Sequence, residues 1–125
     1  MQTSKSYMDA ANAAVPRISA AEAIARHANT AAVFVDVRDS AAIAATGTIK
    51  GAQLIPRGML EFMADPATAA HNKALTKDAE VYLVCAAGGQ AALAGKTLLD
   101  MGYTNVTNIG GIGDWVKAGG PVEEA

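Results

Sequence analysis

Two short apolar runs constrain most strongly what this chain can fold into. Residues Ala31–Val37 (AAVFVDV) and Glu80–Cys85 (EVYLVC) are apolar, rich in valine and too short for helices, which predicts two buried strands. Further short strands are predicted at Gly51–Ile55 and Asn105–Ile109, with helical segments between the strands. Short strands that alternate with helices predict an α/β fold, in which a mostly parallel central sheet is covered by helices on both faces.

The segments between the predicted strands carry helix signals. Ser19 and Glu22 have capping-box spacing, and Gly102 is placed to end a helix in the left-handed conformation. Helices are therefore predicted at about 19–28, 40–45, 58–64, 90–101 and 114–118, a turn at 110–113, and a weak helix or ordered arm before Pro16. In the 90–101 helix, one stripe of residues is predicted to lie together: Leu93, Ala94, Thr97, Leu98 and Met101.

Composition excludes several classes of protein. The chain has 125 residues, enough for one domain. Its net charge is −2, and no part of the sequence gathers enough Lys or Arg to bind nucleic acid or an anionic membrane. No apolar run approaches the roughly 18 residues that a transmembrane helix needs. A single cysteine cannot form an intramolecular disulfide, which favours a reducing compartment. We therefore expect a cytoplasmic protein without a secretory signal.

Cys85 is the candidate reactive residue that the predicted strands and helices indicate. It ends the clearest predicted strand, and small residues follow it before the next helix begins. In parallel sheets, ligands bind beyond the carboxyl ends of the strands, where loop N–H groups and a helix N-terminus stabilise an anion. A thiolate at this place would be stabilised in the same way. However, a free cysteine that ends a buried strand is often an inert small hydrophobic residue, and the local pattern leaves both interpretations open.

Motifs along most of the chain carry a family resemblance. In chain order they are Val33–Arg38 (VFVDVR), Gly47–Ala52 (GTIKGA), Ile55–Gly58 (IPRG), the strand ending in Cys85, Asp100–Val106 (DMGYTNV), Gly110-Gly111, Trp115 and Gly119–Glu123 (GGPVE). In this order and spacing, the chain resembles the single-domain rhodanese-like (thiosulfate sulfurtransferase) family from about Val15 to Glu123. The resemblance implies a three-layer sandwich over residues 16–125, preceded by an N-terminal arm or helix over residues 1–15.

The resemblance also implies an activity. Cys85 would take a sulfane sulfur from a donor such as thiosulfate, hold it as a persulfide and pass it to a thiophilic acceptor. The partners would be a small sulfur-containing anion, or a thiol or persulfide donor and acceptor, with a protein as a possible sulfur acceptor. No metal or organic cofactor would be needed. The substrate-binding residues implied are Ala86, Ala87, Gly88, Gly89, Gln90 and Ala91, through their N–H groups, and Arg57 as a candidate cation.

This chain departs from the family pattern in the charge of that loop. Active rhodaneses usually carry an Arg or Lys after the cysteine, whereas residues 86–90 are uncharged. A cysteine phosphatase would need an Arg where Ala91 stands, so phosphatase chemistry is not expected. Arg38 is expected to pair with a carboxylate and Lys96 to lie on the surface. Two alternatives to the enzyme stay open: a weak or inactive module for protein binding or sulfur carrying, and a thiol redox sensor.

Overall fold

A four-stranded parallel sheet forms the centre of the computed structural model, which describes residues 1–125. The strands, in spatial order, are β3 (Gln53–Leu54), β1 (Val33–Asp36), β4 (Glu80–Cys85) and β5 (Asn105–Gly111). A separate antiparallel pair joins β2 (Thr48–Ile49) to β6 (Val122–Glu123). The helices are α1 (Ser4–Ala14), α2 (Ala20–His27), α3 (Ser40–Thr46), α4 (Leu60–Ala64), α5 (Gly89–Asp100) and α6 (Ile112–Lys117), with a 3₁₀ turn at Arg57–Met59.

Strict alternation along β4 divides the interior into two layers. Leu83 and Cys85 face the side covered by α4 and α5, whereas Tyr82 and Val84 face the side of α2 and α6. Both faces of a parallel strand are then buried, which is why the run is apolar throughout rather than alternating with polar residues. The parallel sheet between helical layers confirms the predicted α/β class. Trp115 is 1% exposed and packs in the second layer.

Local capping signals set several helix starts, including the one predicted at Ser19. Ser19 and Glu22 form the capping box at the start of α2, and the Asp39 side chain accepts from the Ala42 N–H at the start of α3. A second capping box at Thr3 and Ser6 begins α1. None of the helices combines the length and the apolar character that crossing a bilayer requires.

Helix α5 is buried on two sides because α1 packs against it as well as the sheet. Gly95 faces Val15, and a Cβ on Gly95 would lie 2.8 Å from Val15 Cγ1. Of the stripe predicted on this helix, Ala94 and Leu98 are fully buried, but Leu93 and Thr97 are only half-buried and line a groove beside α1. The stripe therefore has two neighbours: Ala94 and Leu98 pack into the core, and Leu93 and Thr97 line the groove.

The predicted turn at residues 110–113 was wrong. Strand β5 continues to Gly111, which pairs with Cys85 across an irregular register, and α6 begins at Ile112. Strands β2 and β6 were not predicted because two residues carry no measurable periodicity. The strand predicted at Gly51–Ile55 is reduced to the two residues of β3.

Candidate active site

Cys85 lies at the carboxyl end of β4, directly before the cysteine loop, which we define as residues 86–88. The residue is 1% exposed and has no disulfide partner. Helix α5 begins at Gly89, four positions after the cysteine, so its first turn lies over the sulfur atom. This position at the end of the strand agrees with the one predicted from the sequence.

Two backbone N–H groups donate to the Cys85 sulfur. The Gly88 nitrogen lies 2.9 Å from Sγ, and the Ala91 nitrogen lies 3.3 Å from it. Of the six residues predicted to provide N–H groups, these two contact the sulfur of the unmodified cysteine. Because both donors are rigid backbone groups, one in the loop and one in the first turn of α5, they favour negative charge on the sulfur without any side-chain rearrangement.

The outer side of the cysteine loop is held by two residues that the sequence did not single out for this role. The Asn108 side chain donates to the Gly88 carbonyl at 3.0 Å and accepts from the Gly110 N–H at 2.8 Å. The Arg17 guanidinium donates to the Ala87 carbonyl at 3.4 Å. Asn108 stands in a sequence of turn-forming residues, which is a weak signal, whereas nothing local to Arg17 indicates this contact.

Glycine at two positions lets the loop adopt this shape. Gly88 has φ of +105°, a left-handed conformation that turns its N–H inward to the sulfur. Gly111 has an ordinary backbone conformation, but a Cβ there would overlap the Ala86 carbonyl. Gly111 therefore allows the cysteine loop to lie directly against β5.

Arg57 lies beside α5 at Thr97, two turns past the start of the helix, and its guanidinium is already engaged. Nη1 lies 2.9 Å from the Glu61 carboxylate, and Nη2 donates to the Thr97 hydroxyl at 3.0 Å. Arg57 and Gly89 both line the groove beside α1, which has a volume of about 800 Å³. Burial acts to raise the pKa of Glu61, but a backbone hydrogen bond and Arg57 outweigh it and hold the pKa below its ordinary value.

The other basic residues considered from the sequence are neutralised by carboxylates. Arg38 makes a buried ion pair with Asp36 at 2.7 Å, which confirms the expected pairing. Thr48 joins that network by donating to the same carboxylate at 2.8 Å. Lys96 pairs with Asp100 on α5 at 2.7 Å and is partly exposed, as expected for a surface residue.

Comparison with known proteins gives a consistent family signal. The family model described as a rhodanese-like domain matches residues 19–118. Over a short stretch, the chain is 51% identical to the adenylyltransferase and sulfurtransferase UBA4 of Candida albicans. That match covers 41 residues, which are 32% of this chain and 9% of the relative.

Solved structures match over nearly the whole chain. A Rhodopseudomonas palustris protein of unknown function, RPA3614, described as a possible tyrosine phosphatase, is 39% identical with a TM-score of 0.92, over 98% of this chain and 96% of that one. The polysulfide-sulfur transferase homodimer of Wolinella succinogenes is 30% identical with a TM-score of 0.76, and the match covers 97% of this chain and 87% of that one. The human single-domain sulfurtransferase TSTD1 is 28% identical with a TM-score of 0.71, over 82% and 96%.

Proposed function

The chain belongs to the rhodanese-like domain family, and from that premise we propose that it is a sulfurtransferase that carries sulfane sulfur as a persulfide of Cys85. The relatives described as sulfurtransferases support sulfur transfer at the level of the family. The observation that carries the proposal for this chain is the pair of N–H donors on the Cys85 sulfur. A cytoplasmic location is part of the proposal, since a lone thiol is suited to a reducing compartment.

The reaction runs in two displacements. The Cys85 thiolate attacks the outer sulfur of thiosulfate, a new S–S bond forms, and the S–S bond of thiosulfate breaks as sulfite leaves with the electron pair. An acceptor such as cyanide then attacks the outer sulfur of the persulfide, forms thiocyanate and returns the Cys85 sulfur to the thiolate. The covalent intermediate divides one difficult transfer into two easier ones.

The geometry suits a persulfide because negative charge stays near the same place throughout. The Gly88 and Ala91 N–H groups contact the sulfur that begins and ends the cycle. Of the remaining predicted donors, Gly89 and Gln90 stand in the first turn of α5, where the helix dipole favours an anion such as the outer sulfur. Arg57, which lines the adjoining groove, is the cation that we propose to meet an incoming donor there.

Incubation with thiosulfate followed by intact-mass measurement tests the proposal. We expect the protein to gain one sulfur atom, which cyanide then removes as thiocyanate. The Cys85→Ser variant is the matched control and should gain nothing. If the unaltered protein gains no sulfur from thiosulfate, polysulfide or a small-molecule persulfide, it is not a sulfurtransferase of this type.

A second candidate function is favoured by the uncharged cysteine loop. Thiosulfate carries two negative charges, and their desolvation is costly without a cation beside the cysteine. The protein would then carry sulfur delivered in another form by a partner, or bind a partner without catalysis. Gly89 offers a clean test, since a Cβ there would meet no atom within 4 Å. If Gly89→Arg raises thiosulfate turnover from near zero by orders of magnitude and Gly89→Gln does not, thiosulfate is not the natural donor.

The phosphatase description of the Rhodopseudomonas relative does not transfer well to this chain. Phosphate-ester chemistry at a cysteine loop of this kind needs an arginine six positions after the cysteine, where this chain has Ala91. The Ala91 N–H contacts the sulfur, but its side chain has no charge to hold a phosphate dianion. Sulfur transfer therefore remains the function that this site supports best.

A further inference from the structure

The cation missing from the cysteine loop has a counterpart outside it. Arg17 lies in the segment before α2, and this segment pairs with β5. The Asn108 N–H donates to the Pro16 carbonyl at 2.8 Å, and the Ile18 N–H donates to the Asn108 carbonyl at 3.1 Å. These two bonds on either side fix the position of Arg17 at the edge of the sheet. The residue lies outside the region 19–118 that matches the family model.

From this position the Arg17 guanidinium covers the back of the cysteine loop. It donates to the Ala87 carbonyl, and a Cβ on Gly88 would overlap it. A Cβ on Gly110 would lie 3.0 Å from Arg17 Nη2. Two glycines with positive φ, one in the loop and one in β5, therefore leave the space that the guanidinium occupies.

The contact with Ala87 matters because of the peptide unit to which this carbonyl belongs. The same peptide unit contains the Gly88 N–H, which donates to the Cys85 sulfur at 2.9 Å. A cation on the carbonyl side polarises the peptide and strengthens its N–H as a donor on the other side. It also fixes the peptide with its N–H turned to the sulfur.

Arg17 is also the one arginine of the four that forms no ion pair. Arg38, Arg57 and Lys96 each form an ion pair with a carboxylate, whereas Arg17 forms none. Arg17 is the only charged side chain that hydrogen-bonds to residues 86–91. We propose that Arg17 is a positioning residue that replaces the absent loop cation, favouring the Cys85 thiolate and its persulfide through the Ala87–Gly88 peptide. The part concerning the persulfide rests on the proposed function; the part concerning the thiolate does not.

The rate of Cys85 alkylation by iodoacetamide, measured against pH, tests the proposal without requiring sulfur transfer. At neutral pH and low salt, we expect Arg17→Gln to lower the rate roughly 3- to 10-fold, because an exposed charge that is separated from the sulfur by one peptide unit acts on it with about that strength through partly screened electrostatics. Arg17→Lys should retain most of the rate. The rates of Arg17→Gln and of the unaltered protein should converge at alkaline pH, where the thiolate is fully formed in both. The difference between these two rates at neutral pH should shrink in concentrated salt.

The matched control is Arg26→Gln, which removes the same charge at the opposite end of β4, where Arg26 contacts Tyr82. It should leave the profile unchanged. A purely structural role for Arg17 predicts instead an equal loss of rate at every pH, with no rescue by Lys, and that result would overturn the proposal. So would an Arg17→Gln profile identical to that of the unaltered protein.

Sulfur loading from thiosulfate on the same samples separates the two proposals. If the unaltered protein takes up sulfur but Arg17→Gln alkylates normally, the proposed function stands and the role of Arg17 is wrong. If the unaltered protein takes up no sulfur but the alkylation profile of Arg17→Gln shifts as expected, Arg17 acts on the thiolate and the sulfurtransferase proposal is wrong.

Discussion

At the scale of single residues, the contact between the cysteine loop and β5 depends on one missing side chain. Gly111 has a backbone conformation open to any residue, so its importance is spatial: the Ala86 carbonyl occupies the volume where a Cβ would be. The Ala86 carbonyl belongs to the backbone and cannot rotate away as a side chain would. Any side chain at position 111 must push the loop outward and with it the N–H groups that contact the sulfur.

The Gly111→Ala variant should therefore lose both stability and sulfur loading. Overpacking of this kind costs about 1–3 kcal/mol, and we expect a loss of unfolding free energy in that range by urea denaturation. Cys85 should load sulfur more slowly at temperatures where the variant is folded. Gly113→Ala is the control, because a Cβ there meets no atom within 4 Å and alanine favours helix α6. Equal stability of the two variants would contradict the prediction.

Individual residues of the site differ in how far the sequence revealed them. Cys85 was identifiable because a strand pattern ended on it and small residues followed. Arg17 was not, since its role depends on a pairing with β5 across about 90 positions, which no local pattern encodes. The role of Arg57 as a substrate-binding cation stays a prediction, because its present hydrogen bonds are to Glu61 and Thr97.

At the scale of elements, α1 is a layer added outside α5. The fit is close where Gly95 faces Val15, and it leaves the groove further along the two helices. The sequence predicted most of the strands and helices because their capping residues and apolar runs are local. It missed the β2–β6 pair, because each of those two-residue strands is defined by its pairing with a distant segment.

A double-mutant cycle should measure the α1–α5 contact. Gly95→Ala introduces a Cβ that would lie 2.8 Å from a Val15 methyl group, so we expect a loss of about 1–2 kcal/mol in unfolding free energy, despite the helix preference of alanine. Val15→Ala opens a small cavity and should also destabilise the protein. The double variant should be more stable than the sum of the two losses predicts. Additive losses would show that Val15, the residue that follows α1, does not pack on Gly95 in solution.

At the scale of the whole molecule, two buried tyrosines make the fold sensitive to alkali. Burial raises the pKa of Tyr103, and the charge of Asp65 raises it further. Burial likewise raises the pKa of Tyr82; a hydrogen bond from its hydroxyl to Glu80 adds to this, while Arg26 opposes it. The folded protein therefore keeps these protons at a pH where the unfolded chain has lost them.

The sign of the pH dependence follows from that difference. Above pH 10.0, the ordinary value for tyrosine, the folded state binds more protons than the unfolded state, so unfolding free energy falls as pH rises. We expect Tyr103→Phe to be less stable at neutral pH by about 1 kcal/mol, since the Tyr103 hydroxyl donates to Ala64 at 2.8 Å. Its stability should fall less steeply above pH 10.0, as measured by urea denaturation at a series of pH values.

The exposed Tyr7 provides the control for this series. Tyr7→Phe should follow the unaltered protein at every pH, because that side chain is 57% exposed. Parallel stability curves for Tyr103→Phe and the unaltered protein above pH 10.0 would show that Tyr103 does not contribute to the alkaline loss.

The depth of Cys85 would also govern the order of events in the proposed transfer. A residue with 1% of its surface exposed, enclosed by the cysteine loop and the first turn of α5, cannot be reached by two reagents at once. In the proposed transfer, donor and acceptor would therefore have to reach the sulfur in turn, and neither would meet the other there. Sulfur would thus be taken up and released in two separate events, because the buried sulfur atom is accessible to one reagent at a time.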